Sequence, residues 1–353
     1  MNQSSGKERI LIVSEAAPPQ INGVVRTNQA TKLELTRLGH EVLEINPDLT
    51  RFLTIATTEA EVYLEFFAHK RLEKLIDEFK PTRRHISTEG PLGWAARKIF
   101  IKTGKDFTTS YHTRWPEFAK DRAPKFLKQK AFDIASKAVL NFHAPSRAVM
   151  VSSPSIMKTL KERGFKNLKL WTHGVDTGLF KYYERPVPLY ENLPRPLLLY
   201  FGRVVAEKNL PAFLNLKTEG SKIVIGDGSE LQHFTQQYPD VHFLGAKEGE
   251  DLARHCAAAD ICVFPSKNDT FGLTLLEAAA MGLRIAAYPA PGPVDIFNDP
   301  VSKAFVVLDD NLQKAVDQAL LLPDKRDVPR AYVLLPRFSW ASCTQQFLAN
   351  LAS

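Results

Sequence analysis

Two carboxylates eight residues apart, Asp269 and Glu277, lie in the stretch VFPSKNDTFGLTLLEAAAM, Val263 to Met281. Along one helix that spacing is roughly 12 Å. Retaining glycosidases hold their carboxyl pair about 5 Å apart. The two acids therefore read as groups gripping different parts of one extended ligand. Between them, Phe271, Gly272 and Leu273 open a helical pattern. The first N–H groups of a helix lack internal partners and suit an anion, usually a phosphate. Arg203 and Lys208 stand five apart in GRVVAEKNL, just after the strand Leu197–Phe201. Taken alone, they read as solvated charge. Two cations at the carboxyl end of a parallel strand are also where a phosphate docks. With the amides of 271–273 at the same sheet edge, they read as a cationic, amide-lined diphosphate site.

His112 ends the strand Phe107–Tyr111, with no His or Cys at metal spacing. It reads either as a structural histidine or as a hydrogen-bonding partner of a polar substrate across an interdomain cleft. Gly23 closes the first strand-to-helix loop. It reads as a helix-entry turn, or as a point where backbone approaches a ligand. No GxGxxG accompanies it. Gly226-Asp227-Gly228 reads as a left-handed turn.

The chain carries 46 Lys and Arg against 39 Asp and Glu, a net charge of +7. Residues 95–130 hold ten of the bases and three of the acids, so the remainder balances at 36 of each. The basicity is a patch. Arg97, Lys98, Lys102 and Lys105 surround Ile99, Phe100 and Ile101. Trp115, Phe118, Lys125, Phe126 and Lys128 follow. Such a segment fits an anionic membrane surface or an anionic acceptor. It also fits the basic face of an ordinary surface helix. No recognised nucleic-acid-binding motif accompanies it.

These groups need elements to position them. At 353 residues and 44% hydrophobic, the chain is long enough for two domains. Arg9–Ser14, a helix at 24–38 ended by Gly39, and Glu41–Ile45 form a β-loop-α-β opening. Apolar residues at 64, 67, 68, 72, 75, 76 and 79 predict a helix ended by Pro81. Further strands are expected at 84–87, 107–111, near 144–145 and at 168–171. Helices are expected at 92–102, 125–140 and 152–164. Lys181–Pro196 holds four prolines without periodicity and reads as a linker. Alternation then restarts through strands at 197–201, 222–225, 241–244, 261–264 and 284–288. A last helix, 339–351, carries an apolar stripe at Cys343, Phe347 and Leu351. Three scattered cysteines without a CxxC pair fit a reducing compartment. No apolar run approaches the ~20 residues of a bilayer span. The expected location is cytoplasmic, with peripheral attachment to the inner membrane face as an option.

At this point the chain resembles the retaining glycosyltransferases of family 4. The carriers are PQINGVVRT, TEGPLGWAAR, SYHTRWPEF, HGVDTGLF, FGRVVAEKN, VIGDG, AAADICVFPS and DTFGLTLLEAAAMG. The resemblance implies an α/β, GT-B fold. That is two facing Rossmann-like domains with parallel sheets, and a C-terminal helix crossing back to the first. The expected bounds are 1–180, a linker at 181–196, 197–336, and 337–353 for the returning helix. Such enzymes carry an E-x7-E pattern. This chain has Asp269 at the first position, one methylene shorter, and Glu277 at the second. The resemblance further implies a nucleotide-sugar donor, GDP- or UDP-linked. Arg203, Lys208 and the amides of Phe271, Gly272 and Leu273 would take the diphosphate, and Glu277 the ribose. Asp269 and His112 would orient the sugar, and Gly23 would let the first-domain loop close. It implies retention without a resident cofactor or metal, consistent with the lack of a DxD site. The acceptor is expected to be a membrane lipid. Alternatives are a soluble sugar or glycan acceptor, a non-catalytic nucleotide-sugar-binding protein, and a GT-B epimerase.

Overall fold

The computed structural model describes residues 6–20, 22–50, 54–56, 63–65, 69–182 and 190–352. It divides into two compact units, Met1–Thr172 with Trp340–Ser353, and His173–Ser339. Residues 183–189 of the expected linker lie outside the described residues.

The first unit is built on a six-stranded parallel sheet. Its strands are β1 (Arg9–Val13), β2 (Glu41–Ile45), β5 (Arg83–Ile86), β6 (Thr108–Tyr111), β7 (Val149–Val151) and β8 (Leu168–Leu170). The order is β2-β1-β5-β6-β7-β8. β3 (Thr54–Ala56) and β4 (Tyr63–Glu65) pair antiparallel. Ile10, Leu11, Ile12 and Val13 are all buried. A parallel strand covered on both faces wants such an unbroken apolar run, because crossover helices lie on each side. The helix Gly23–Arg37 starts at Asn22, whose side chain accepts from the amides of Val24 and Val25. It stops at Gly39, with φ of +88°. That left-handed conformation favours glycine. The C-terminal helix, Trp340–Ala352, belongs to this unit. It sets Phe347 and Leu351 among Ile10, Ile12, Leu35, Met150 and Trp171.

The second unit repeats the plan with β9 (Leu197–Phe201), β10 (Ser221–Ile225), β11 (His242–Phe243), β12 (Ile261–Phe264), β13 (Arg284–Ala287) and β14 (Val306–Leu308). The order is β11-β10-β9-β12-β13-β14, parallel throughout. In strand succession this is 3-2-1-4-5-6, the doubly wound Rossmann arrangement. Its core joins Leu197, Leu199, Phe201, Cys262, Phe264, Leu275, Leu276 and Ile285. Val175, Phe180 and Tyr190 are buried in the same cluster.

Some expectations moved. Leu64 lies in β4, not in a helix, and the helix runs His69–Phe79. Pairing of Tyr63–Glu65 with Thr54–Ala56 claims that backbone and overrides the helical periodicity. The strand expected near 144–145 is instead Val149–Val151, because the preceding helix continues to His143. A helix, Trp115–Arg122, occupies a stretch with no such expectation. Pro116 sits in its first turn, where a missing N–H leaves no bond unmade.

Candidate active site

In an open α/β sheet, ligands bind outside the carboxyl ends of the strands, where the strand order reverses. In the second unit that point lies between β9 and β12, paired through Ile261 with Leu198 and Cys262 with Leu199. The loops leaving these strands carry Arg203 and Lys208 on one side and Asp269 on the other. The Nζ of Lys208 pairs with Oδ1 of Asp269, 61 residues away. Both side chains are mostly buried, at 21% and 19% exposure. Asn209, in the left-handed region at φ +54°, donates its side-chain amide to the Pro265 carbonyl at 3.0 Å. That bond ties the two loops a second time. Arg203 is more open and bonds Glu207 at 3.0 Å. Its carbonyl accepts from the Tyr200 hydroxyl at 2.6 Å. Burial, and then the charge of Asp269, drives the Tyr200 hydroxyl far above its ordinary range.

Gly226 shows why this edge tolerates no extra atoms. A Cβ there would stand 1.9 Å from the Gly202 carbonyl oxygen, and its φ is +150°. Gly228 is similarly confined against Val204. The GDG turn thus packs backbone to backbone on the loop holding Arg203.

The helix expected to open at Phe271 begins at Leu273 instead, and spans Leu273–Ala280. Gly272 precedes it at φ +93°, with no side-chain cap. Phe271 is buried, its ring edge-on to His173 at 5.0 Å. Its carbonyl touches Gly292 so closely that a Cβ there would lie 2.1 Å away. These contacts fix where the helix starts. Glu277 follows on the second turn, buried, near enough to Cys262 to help burial push that thiol upward. Lys208, Asp269, Gly272 and Leu273 are thus gathered at one sheet edge. His173 was present in a quoted motif, but no spacing rule singled it out.

In the first unit, Gly23 is the first residue of its helix, capped by Asn22. His112 follows β6. Its Nε2 lies 2.8 Å from the Ser110 hydroxyl, and its ring meets Trp171 at 5.7 Å. The residues of the basic patch fare differently. Arg97 donates to the carbonyls of Phe142 and Asn141 at 3.0 and 2.9 Å, and stacks on Trp94. Trp115 donates to Glu89 at 3.3 Å and packs on Phe118. Lys98, Lys102, Lys105 and Lys125 are exposed, and Lys128 is half-buried. Phe126 is 85% exposed beside Lys125, with Leu127 at 39% and Ile134 at 59%. Among the described residues, no helix is long and apolar enough to cross a membrane. No group of three or more His, Cys, Asp or Glu among them could hold a metal ion.

The comparisons with known proteins agree with this architecture. A model of Glycosyltransferase Family 4 matches residues 21–179, and one of Glycosyl transferases group 1 matches residues 195–322. A GDP-mannose-dependent alpha-mannosyltransferase of Mycobacterium tuberculosis is 25% identical over 313 residues, covering 82% of this chain and 81% of the relative. The alpha-monoglucosyldiacylglycerol synthase of Streptococcus pneumoniae is 25% identical, covering 90% of this chain and 80% of the relative. Among solved structures, sucrose-phosphate synthase from Thermosynechococcus elongatus superimposes with a TM-score of 0.77. It is 18% identical and covers 96% of this chain and 97% of its own. That likeness is one of fold, GT-B.

Proposed function

We propose the reaction from one premise: the chain belongs to glycosyltransferase family 4 and is a hexosyltransferase. Its donor is a nucleotide-sugar, GDP- or UDP-linked, and its acceptor is a membrane lipid hydroxyl. The observation that carries this reading is the junction of Lys208 and Asp269 at the β9–β12 reversal, beside the start of the helix Leu273–Ala280. A diphosphate needs cations and unpartnered amides. A sugar needs a carboxylate nearby, and a ribose another farther along. Arg203, Lys208, Phe271, Gly272, Leu273, Asp269 and Glu277 have those chemistries in that sequence. The GDP-mannose-dependent relative supports the donor class, and the diacylglycerol-modifying relative supports the acceptor.

In this reading the task of the site is to carry the charge that develops on the leaving diphosphate. Preorganised cations and amides do so without reorganising during the step. The sugar C1–O bond to the phosphate breaks while the acceptor oxygen bonds C1 on the same face. The acceptor proton passes to the departing phosphate oxygen, so configuration is retained. Arg203 and Lys208 supply the positive charge, so the step runs without a metal. His112 and Asp269 hold the hexose hydroxyls. The exposed Phe126 among lysines supports an anionic membrane surface as partner, reached from the cytoplasmic side.

Two linked assays test this. Thermal shift with GDP-, UDP- and ADP-hexoses identifies the stabilising nucleotide, since a ligand bound only to the native state raises stability. Labelled hexose from that donor should then partition into the organic phase with diacylglycerol-containing vesicles. Label found only on water-soluble oligosaccharides would replace the lipid acceptor with a glycan. No transfer to either would contradict the reading.

A further inference from the structure

Beside β6, the first unit holds a cavity of about 160 Å³. Its lining comes from the end of β6, the helix Lys128–His143, and the helix Pro154–Glu162 with the residues that follow it. Tyr111, Val139, Leu140, Leu160 and Phe165 supply an apolar wall, and all but Leu140 are buried. Protein interiors are ordinarily packed to crystal density, with few voids larger than a water molecule. An apolar cavity of about 150 Å³ accommodates one benzene ring, so this one has room for a body of about six carbons.

At one end the lining turns polar. Ser136 Oγ is buried and has no hydrogen-bond partner among the described residues. Lys137, the next residue of the same helix, is exposed, and Arg163 is partly exposed; both line the cavity. Exposed lining residues mark where a cavity meets solvent, so the mouth lies at these two cations. Their charge is incompletely answered. Arg163 and Arg114 both pair with one oxygen of Glu117, at 2.6 and 2.9 Å, so that trio keeps one positive charge and Lys137 adds another. Water suits the interior poorly, because an ordered water needs two to four polar partners and the lining is mostly apolar.

We propose that this cavity binds a small monocarboxylic acid with an apolar body of about six carbons. The body lies against the wall of Tyr111, Val139, Leu160 and Phe165. The carboxylate stays at the mouth, where it accepts from the Ser136 hydroxyl and faces Lys137 and Arg163. An alcohol of equal length fills the space but leaves the cations unanswered, and a two-carbon acid does the reverse. All of the lining residues belong to the first unit, so the test needs neither nucleotide nor acceptor and does not depend on the donor reading.

Titration of the full chain at constant pH and ionic strength, followed by the methyl NMR signals of leucine and valine, reads the site. The probes are hexanoate, hexanol and acetate. Val139→Ala and Leu160→Met assign the two diagnostic signals. Hexanoate should shift both and bind about tenfold or more tightly than acetate, which lacks the buried methylenes. Hexanol should also bind about tenfold more weakly, as should hexanoate to Ser136→Ala, the order expected for losing a hydrogen bond to a charged group. Lys137→Glu should weaken hexanoate several-fold, and Ser136→Phe, which fills the cavity, should abolish its binding. Equal binding of acetate or hexanol, or shifts that spare Val139 and Leu160, would overturn the proposal. So would hexanoate that fails to bind wild type, which would leave the cavity to water. If Ser136→Phe does not fold, Ser136→Ala and Lys137→Glu decide, the latter at an exposed position.

Discussion

Lys208 and Asp269 form an ion pair between two loops that are 61 residues apart in the chain. The second carboxylate oxygen of Asp269, Oδ2, is buried and has no hydrogen-bond partner among the described residues. One oxygen thus holds the cation, and the other remains to accept from a hydroxyl. A buried acceptor left unmade costs about 1–3 kcal/mol. A sugar hydroxyl would recover that cost only when donor binds.

Lys208→Ala and Arg203→Ala should each lower kcat by about 10²–10³-fold, the loss seen when one preorganised charge-stabilising group is removed. Stability should separate them. Arg203 is 41% exposed, so its loss should leave the unfolding midpoint in urea nearly unchanged. Lys208→Ala should lower it, and adding Asp269→Asn should recover most of the difference. Near-normal turnover in both single variants would remove the diphosphate role.

Gly226→Ala should be disproportionately harmful for a single methyl. Its Cβ would meet the Gly202 backbone at 1.9 Å, and neither partner is a flexible side chain. Strained backbone costs about 1–3 kcal/mol on its own account. A lowered melting temperature with weaker nucleotide binding is expected. A neutral melt would mean that the two loops separate easily.

Phe126 offers a test of the membrane. Phe126→Asp should reduce flotation with vesicles containing anionic phospholipid, while nucleotide-induced thermal shift stays as in wild type. Binding of the wild type should weaken as salt is raised, because lysine attraction to an anionic surface is screened. Equal flotation by variant and wild type would show that this tip does not touch the bilayer.

Glu15 supplies a pH dependence. Its carboxylate takes the Thr88 hydroxyl and the Gly93 amide at the start of the helix Pro91–Lys102. Burial raises its pKa, and the Thr88 bond only partly opposes that. An acid with a raised folded pKa binds more protons folded than unfolded. Its stabilising contribution is therefore present at low pH and fades as pH rises through the raised value. The stability advantage of wild type over Glu15→Gln should shrink as pH rises above the ordinary carboxylate range and through the raised pKa of Glu15. An advantage that grows with pH would reverse the assignment.

Much of the second unit's site was legible in the order of residues. Arg203, Lys208, Asp269 and Glu277 each follow an apolar strand, and strand-end loops share one sheet edge. That Lys208 touches Asp269 was not legible. It depends on β9 lying beside β12, which local pattern does not encode. The first unit yielded less. His85 sits in RRHI, a polar-looking strand whose inward histidine is visible only once Thr108 is its neighbour. Trp115–Arg122 was obscured by Pro116, which reads as a breaker until its place in the first turn is known. Family resemblance named the roles, and neither resemblance nor spacing revealed that Arg97 is bound to backbone carbonyls.

The central claim is that the β9–β12 edge holds the diphosphate of the donor. Calorimetric titration of GDP and of UDP into wild type and into Lys208→Ala tests it most directly. One nucleotide should bind wild type, with at least a tenfold weaker Kd in the variant, about 1.4 kcal/mol. Equal affinity in the two proteins would contradict the account.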